Sequence, residues 1–197
     1  SRNGGVVYRL ADRTGQQDDG CWVFENAQFN ADGIPTAEQE SRWMFNQSLG
    51  EIEQVPSPII SAQNPEALPN LVEAVQGFFN AETVPLTWFM CGYSVATMQR
   101  QAVMKQDHAF PQMNAFGDVG GGKTTAAKVG ASLVGMHGER QIITKFSESL
   151  IYEQVKSLGG VMMVLDDPVK KGMKQDSRDA VDNFGWSMYN GVSRRVR

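Results

Sequence analysis

Gly117-Asp118-Val119-Gly120-Gly121-Gly122-Lys123-Thr124 is the stretch on which the reading of the chain turns. It matches the pattern G-x-x-x-x-G-K-[ST] at every fixed position. The pattern is a device for holding phosphate. Glycines let the backbone turn tightly, so that successive N–H groups point inward at an anion. A helix starting at the end of the loop adds its positive N-terminal end. Lys123 has the reach to meet the β- and γ-phosphates of a nucleotide, and the Thr124 hydroxyl is placed to ligate Mg²⁺. Without nucleotide, Lys123 is expected to have no structural partner. The candidate nucleotide-binding set is therefore Gly117, Asp118, Val119, Gly120, Gly121, Gly122, Lys123, Thr124 and Thr125. The competing reading is a chance glycine-rich turn. With Gly at about 7% of residues, the fixed positions coincide in on the order of one per cent of chains this long.

The surroundings fit a strand, a loop and a helix. Met113-Asn114-Ala115-Phe116 reads as the end of a short strand entering the loop. After Lys123, apolar residues recur at helical spacing: Ala127, Ala131 and Val134, with Val129 and Leu133 beside them. Gly135 and Gly138 are stop signals.

A second motif follows at Val161-Met162-Met163-Val164-Leu165-Asp166-Asp167-Pro168. A continuous apolar run is what a parallel strand buried on both faces needs. Acids at its C-terminal end lie where open α/β sheets bind ligands. On this reading Asp166 holds Mg²⁺, directly or through water, and Asp167 orients an attacking water. The alternative is a core strand that ends in a solvated acidic turn. Between the motifs, Gln141 to Phe146 reads as a strand. Ser147 and Glu148 open a helix whose apolar stripe is Leu150, Ile151, Val155 and Leu158, and Gly159-Gly160 ends it. Alternating elements of this kind predict an α/β fold, a three-layer parallel-sheet phosphate-loop core.

Residues from about Trp88 to Arg197 resemble the helicase-like ATPase domains of phage, plasmid and viral replication proteins. These include superfamily-three-type helicases and the ATPase halves of primase–helicases. The likeness is carried by the apolar helix Trp88 to Met98, by Ala115-Phe116-Gly117-Asp118 leading into Gly121-Gly122-Lys123-Thr124-Thr125, and by the short interval to Leu165-Asp166-Asp167. Met188 to Arg197 looks like the helix-to-basic-strand segment of such domains. The resemblance implies ATP and Mg²⁺ as cofactors, single-stranded or forked DNA as partner, and a homo-oligomeric ring that supplies an arginine in trans. It implies an intracellular setting, cytoplasm or nucleus, including that of a virus, plasmid or phage. Such domains continue beyond the Asn190-Gly191 region into a sensor strand, so the core is expected to be truncated at Arg197. Arg194, Arg195 and Arg197 read as a solvated basic end in preference to a basic edge that meets phosphate or nucleic acid.

Composition is that of an ordinary globular chain: 197 residues, net charge −4, 41% hydrophobic. The chain is long enough to bury a sizeable core, and it is not a basic nucleic-acid coat, so any DNA contact is local or shared between subunits. Cys21 and Cys91 have no metal-ligand spacing and sit in apolar surroundings, which favours buried thiols over a disulfide. No secretory signal opens the chain, and Leu86 to Met98 is too short for a membrane span. Residues 1–55 form a small β-rich region, with strands at Gly5–Leu10 and Cys21–Phe24 and a turn at Asn30–Gly33. Prolines 56, 58, 65 and 69 mark a connector over 56–70, and the core runs from 71 to 197. Leu71, Val72, Val75, Phe78 and Phe79 make an apolar helical stripe read as core. Tyr8, Trp22, Phe24 and Phe29 are read as core rather than base-stacking groups. Asp18-Asp19 is read as solvating. His108 and His137 stand alone.

The function expected is Mg²⁺-dependent ATP hydrolysis, with Lys123 and Asp167 as catalytic residues and Thr124 and Asp166 at the metal. Two rivals stay open. A small-molecule or nucleotide kinase would need a lid, for which Lys170, Lys171, Lys174 and Arg178 are the candidates. An ATP-binding switch would bind and hardly hydrolyse. The absence of an Asn-Lys-x-Asp motif disfavours a GTPase.

Overall fold

The computed structural model describes residues 8–37, 40–46, 58–137, 142–143, 157–166, 175, 178–179, 181–183 and 185. The N-terminal part is a set of short strands: β1 (Arg9–Leu10), β2 (Thr14–Gln16), β3 (Trp22–Val23), β4 (Gln28–Phe29) and β5 (Trp43–Met44). Turn chemistry explains their brevity. Gly20, at φ 90°, closes the β2–β3 turn, where Gln17 N–H donates to the Cys21 carbonyl. The Asn30 side chain accepts from the N–H groups of Asp32 and Ile34, which builds the predicted turn after β4.

Helices follow: α1 (Ala67–Phe78), α2 (Thr83–Met98), α3 (Arg100–Asp107) and α4 (Lys123–Ser132). Pro69 does not stay in a connector. It occupies the first turn of α1, where a missing N–H costs little. The α1 stripe is only partly core: Val75 is buried, but Phe78 is 76% exposed. His108, in the left-handed region at φ 59°, ends α3, and its N–H donates to the Met104 carbonyl.

The last strands are β6 (Ile142–Ile143), β7 (Leu158–Gly159) and β8 (Val164–Leu165). β6 and β8 pair in parallel, with Ile142 opposite Val164 and Ile143 opposite Leu165. This pair joins two of the segments that the sequence reads as strands. Leu158 departs from expectation. Instead of closing a helical stripe it lies in β7, parallel to β2, with Gly159 opposite Gly15. The sheet order is β4-β3-β2-β7, so a segment late in the chain completes the N-terminal sheet. The apolar run also departs: only Val164–Leu165 is strand, while Val161 and Met162 are buried without pairing. Gly160, at φ 69°, bends the chain between β7 and that run.

The core gathers Phe24 from the N-terminal sheet, Met90 from α2, Ala126, Ala127 and Ala131 from α4, and Val161 and Met162. Helices α2 and α4 meet through small residues. A Cβ on Gly130 would lie 2.8 Å from the Met90 backbone, and one on Gly122 would lie 2.9 Å from Thr83 Cγ2. The contacts advance along both helices together, so α2 and α4 run in the same direction and both begin at the glycine-rich loop. Among the described residues, no helix is long and apolar enough to cross a membrane.

Candidate functional site

The loop 117–122 leads directly into α4, whose N-cap is Gly122 at φ 75°. Gly117 and Gly120 also have positive φ, at 147° and 83°. An L-residue with a side chain rarely takes such angles, so the glycines are there for backbone direction. Gly121 N–H donates to the Asp118 carbonyl at 3.2 Å and closes a turn, and Ala126 N–H donates to the Gly122 carbonyl at 2.9 Å as the helix starts. The chain ahead of the loop is not the expected strand. Met113–Phe116 is irregular, and Phe116 is 89% exposed. No neighbouring strand pairs with it among the described residues; just ahead of it, the Tyr93 hydroxyl donates to the Pro111 carbonyl at 3.1 Å. Val119 is fully exposed at the loop tip, and Asp118 and Thr125 are exposed.

Lys123 is not partnerless. Its ammonium donates to the carbonyls of Gly117 (2.9 Å) and Asp118. An ammonium has three donors and seeks oxygen, so the side chain folds back across the loop it belongs to. Both partners are loop carbonyls, so the contact ties the loop to itself and not to the core.

Thr124 and Asp166 come together. Thr124 Oγ1 donates to Asp166 Oδ1 at 3.2 Å, across 42 positions of sequence. Strand pairing makes this possible: Asp166 follows β8 directly, and its N–H donates to the Ile143 carbonyl at 3.1 Å. That bond extends the β6–β8 ladder by one residue and fixes where the carboxylate leaves the sheet. Asp167, the other acid of the pair, lies outside the described residues, as do Arg194, Arg195, Arg197, Lys170, Lys171 and Lys174.

The donor set suits Mg²⁺. This ion is usually held through one or two carboxylates and substrate phosphates rather than by an all-protein cage. One hydroxyl and one carboxylate converge here beside a loop of N–H groups. Among the described residues, no group of three or more His, Cys, Asp or Glu side chains could hold a metal by itself.

One residue absent from the pattern, Thr83, also approaches the loop, and Asn80 holds it in place. Asn80 Oδ1 accepts the Thr83 N–H at 2.8 Å and the Thr83 hydroxyl at 2.7 Å. The same hydroxyl lies 3.5 Å from the Gly121 carbonyl oxygen. No phosphate-loop pattern includes this position. The only sequence signal is an Asn three residues before a Thr at the start of an apolar helix, which reads as a helix cap.

Other expectations resolve away from the site. Trp22 stacks on Phe24 at 6.0 Å and Phe24 meets Phe29 edge-on at 6.3 Å, so these rings pack with one another. Tyr8 is exposed. The acids in the β2–β3 loop do more than solvate: Asp18 pairs with Arg13 at 3.1 Å, and Asp19 accepts from the Trp43 indole at 2.9 Å. Both cysteines are free; Cys91 is buried and Cys21 half-buried. Burial pushes both thiols above their ordinary range, and at Cys21 the Asp19 carboxylate adds to it, so neither is a reactive thiolate. Comparison of the chain with protein-family models, with curated proteins and with solved structures gives no match.

Proposed function

We propose that the chain binds and hydrolyses ATP with Mg²⁺, in a three-layer parallel-sheet phosphate-loop core of the kind found in helicase-type replication ATPases. The observation that carries the reading is the hydrogen bond between Thr124 and Asp166. A glycine-rich turn arising by chance has no reason to bring its threonine to an acid at the end of a parallel strand. A metal bridging nucleotide and protein needs that pair.

The roles follow from the groups. Loop N–H groups and the start of α4 hold phosphate oxygens. The Lys123 ammonium exchanges the Gly117 and Asp118 carbonyls for the β- and γ-phosphates and holds charge there as it develops. Thr124 and Asp166 orient the metal. Bound Mg²⁺ supplies neutralisation of phosphate charge. Asp167 places the attacking water. The proposal extends, through the family resemblance, to single-stranded or forked DNA as partner, to a ring of identical subunits and to an intracellular setting.

The test is titration of the chain with a fluorescent ATP analogue and Mg²⁺, with phosphate release measured with and without single-stranded DNA. Lys123→Ala is expected to stay folded, because its partners are loop carbonyls, and to weaken binding about tenfold or more, since a charged hydrogen bond contributes ~1.5–3 kcal/mol. Asp166→Asn is expected to remove the dependence of binding on Mg²⁺. Equal binding by the parent and a folded Lys123→Ala rejects the nucleotide site. Turnover indifferent to DNA rejects the coupling to nucleic acid and favours the kinase reading.

A further inference from the structure

One aromatic ring beside the phosphate loop packs against almost nothing. Phe116 directly precedes Gly117 and, at 89% exposure, is the most exposed aromatic side chain among the described residues. A strand entering the loop between two neighbours would have buried it. Here the chain is anchored three residues earlier, where Met113 packs against the core. Asn114 and Ala115 are exposed, and Phe116 follows them into solvent. Single exposed apolar residues are ordinary on a protein surface. This one is set apart by its place.

Lys123 defines that place. Its ammonium donates to the carbonyl of Gly117, the residue next to Phe116, at 2.9 Å. Ordinary backbone dimensions then put the Phe116 Cα within about 10 Å of the ammonium. When β- and γ-phosphates take the ammonium, the sugar and base have to leave the loop toward solvent, because α4 begins behind it and packs into the core. The base and the Phe116 ring are then two flat groups, both wet, on the open side of one short loop. Stacking removes a face of each from water, and every base has a π-face to offer. Val119 is also fully exposed, at the loop tip, but it has no such face.

We propose that Phe116 stacks on the base of the bound nucleotide, and so makes the site select nucleoside triphosphates over bare polyphosphate. This rests on the phosphate-loop reading above and adds to it recognition of the base, to which the loop pattern contributes nothing. Phe116 carries no charge and no hydrogen-bonding group. It therefore alters recognition of the base and leaves recognition of phosphate to the loop and Lys123.

The experiment compares binding of Mg²⁺–ATP and of Mg²⁺–tripolyphosphate, which lacks base and sugar, to the parent chain, Phe116→Ala, Phe116→Tyr and Lys123→Ala. Melting temperatures are recorded without ligand, and Phe116→Ala is expected to keep that of the parent, since the ring it removes is in solvent. Phe116→Ala is expected to weaken ATP about five- to hundredfold, the worth of one base–aromatic stack, and to leave tripolyphosphate unchanged. Phe116→Tyr keeps the ring and is expected to bind ATP like the parent. Lys123→Ala is expected to weaken both ligands. Adenine proton resonances are expected to move upfield in the parent complex, from the ring current of Phe116, and to move less in Phe116→Ala. The proposal is overturned if Phe116→Ala binds ATP like the parent, if it weakens ATP and tripolyphosphate by the same factor, or if Phe116→Tyr loses as much as Phe116→Ala. A parent chain that binds neither ligand rejects the nucleotide reading itself, and the Phe116 role with it.

Discussion

The phosphate loop and the N-terminal sheet both depend on glycine, for different physical reasons. In the loop, Gly120 has positive φ and nothing stands within 4 Å of where its Cβ would be. Space is open there, and glycine serves the direction of the backbone. In the sheet, Gly15 at φ 101° faces Gly159 across β2 and β7, and a Cβ on either would run into the carbonyl of the opposite strand. There glycine serves close approach, and at Gly15 backbone direction as well. A backbone direction is a local property, readable from a short motif. A close approach involves a partner far along the chain, and its need for glycine shows only when that partner is known.

The sharpest way to break this contrast is Gly15→Ala. Strain at positive φ costs about 1–2 kcal/mol, and overpacking adds about 1–3 kcal/mol. The expected loss is therefore about 2–5 kcal/mol in urea unfolding. A change inside the ~0.5 kcal/mol scatter of surface substitutions would mean that β7 does not close the N-terminal sheet.

Gly130→Ala tests the helices behind the loop, and here two effects oppose each other. In an exposed helix alanine gains about 1 kcal/mol over glycine. At this position the new methyl meets the Met90 backbone, which cannot rotate aside, and overpacking costs about 1–3 kcal/mol. The sign is decided by packing, so the variant is expected to be less stable by up to about 2 kcal/mol. It is also expected to bind nucleotide more weakly, because α4 carries Lys123 and Thr124. A more stable variant would show that α2 and α4 do not cross this closely.

The smallest expected effect concerns acid, and it sharpens the comparison from the sheet's side. The Arg13 guanidinium, hydrogen-bonded to Asp12, holds that carboxyl below its ordinary range. At Asp19 burial pushes upward, but the Trp43 indole and the Cys21 N–H outweigh it, and the net shift is also downward. Carboxyls lowered in the folded state contribute stability that is present above their unfolded value and lost as pH falls through their folded value. Both are mostly exposed, so the contribution is slight. The Trp43 indole N–H resonance is expected to shift as pH drops below the ordinary carboxylate range, and Asp19→Asn to abolish that shift. A resonance that does not move with pH in the parent would rule out the Asp19–Trp43 bond.

Local sequence determined much of the candidate site. The glycines at 117, 120 and 122, the lysine and the helix after them are set by short-range conformational preference, and the structure has positive φ at those glycines and α4 starting at Lys123. Turn residues such as Asn30 and Gly33 were legible for the same reason. The strand before the loop was misread, because Met113, Ala115 and Phe116 carry no information on whether a neighbouring strand is available. Leu158 was misread because apolar spacing alone does not separate a helix end from a short strand paired with β2. Only the tertiary structure brought Thr124 to Asp166, laid Gly159 on Gly15 and set Thr83 against the Gly121–Gly122 peptide. Each of these joins segments far apart in the chain. Their geometry follows from how the helices and strands pack, which no local preference encodes.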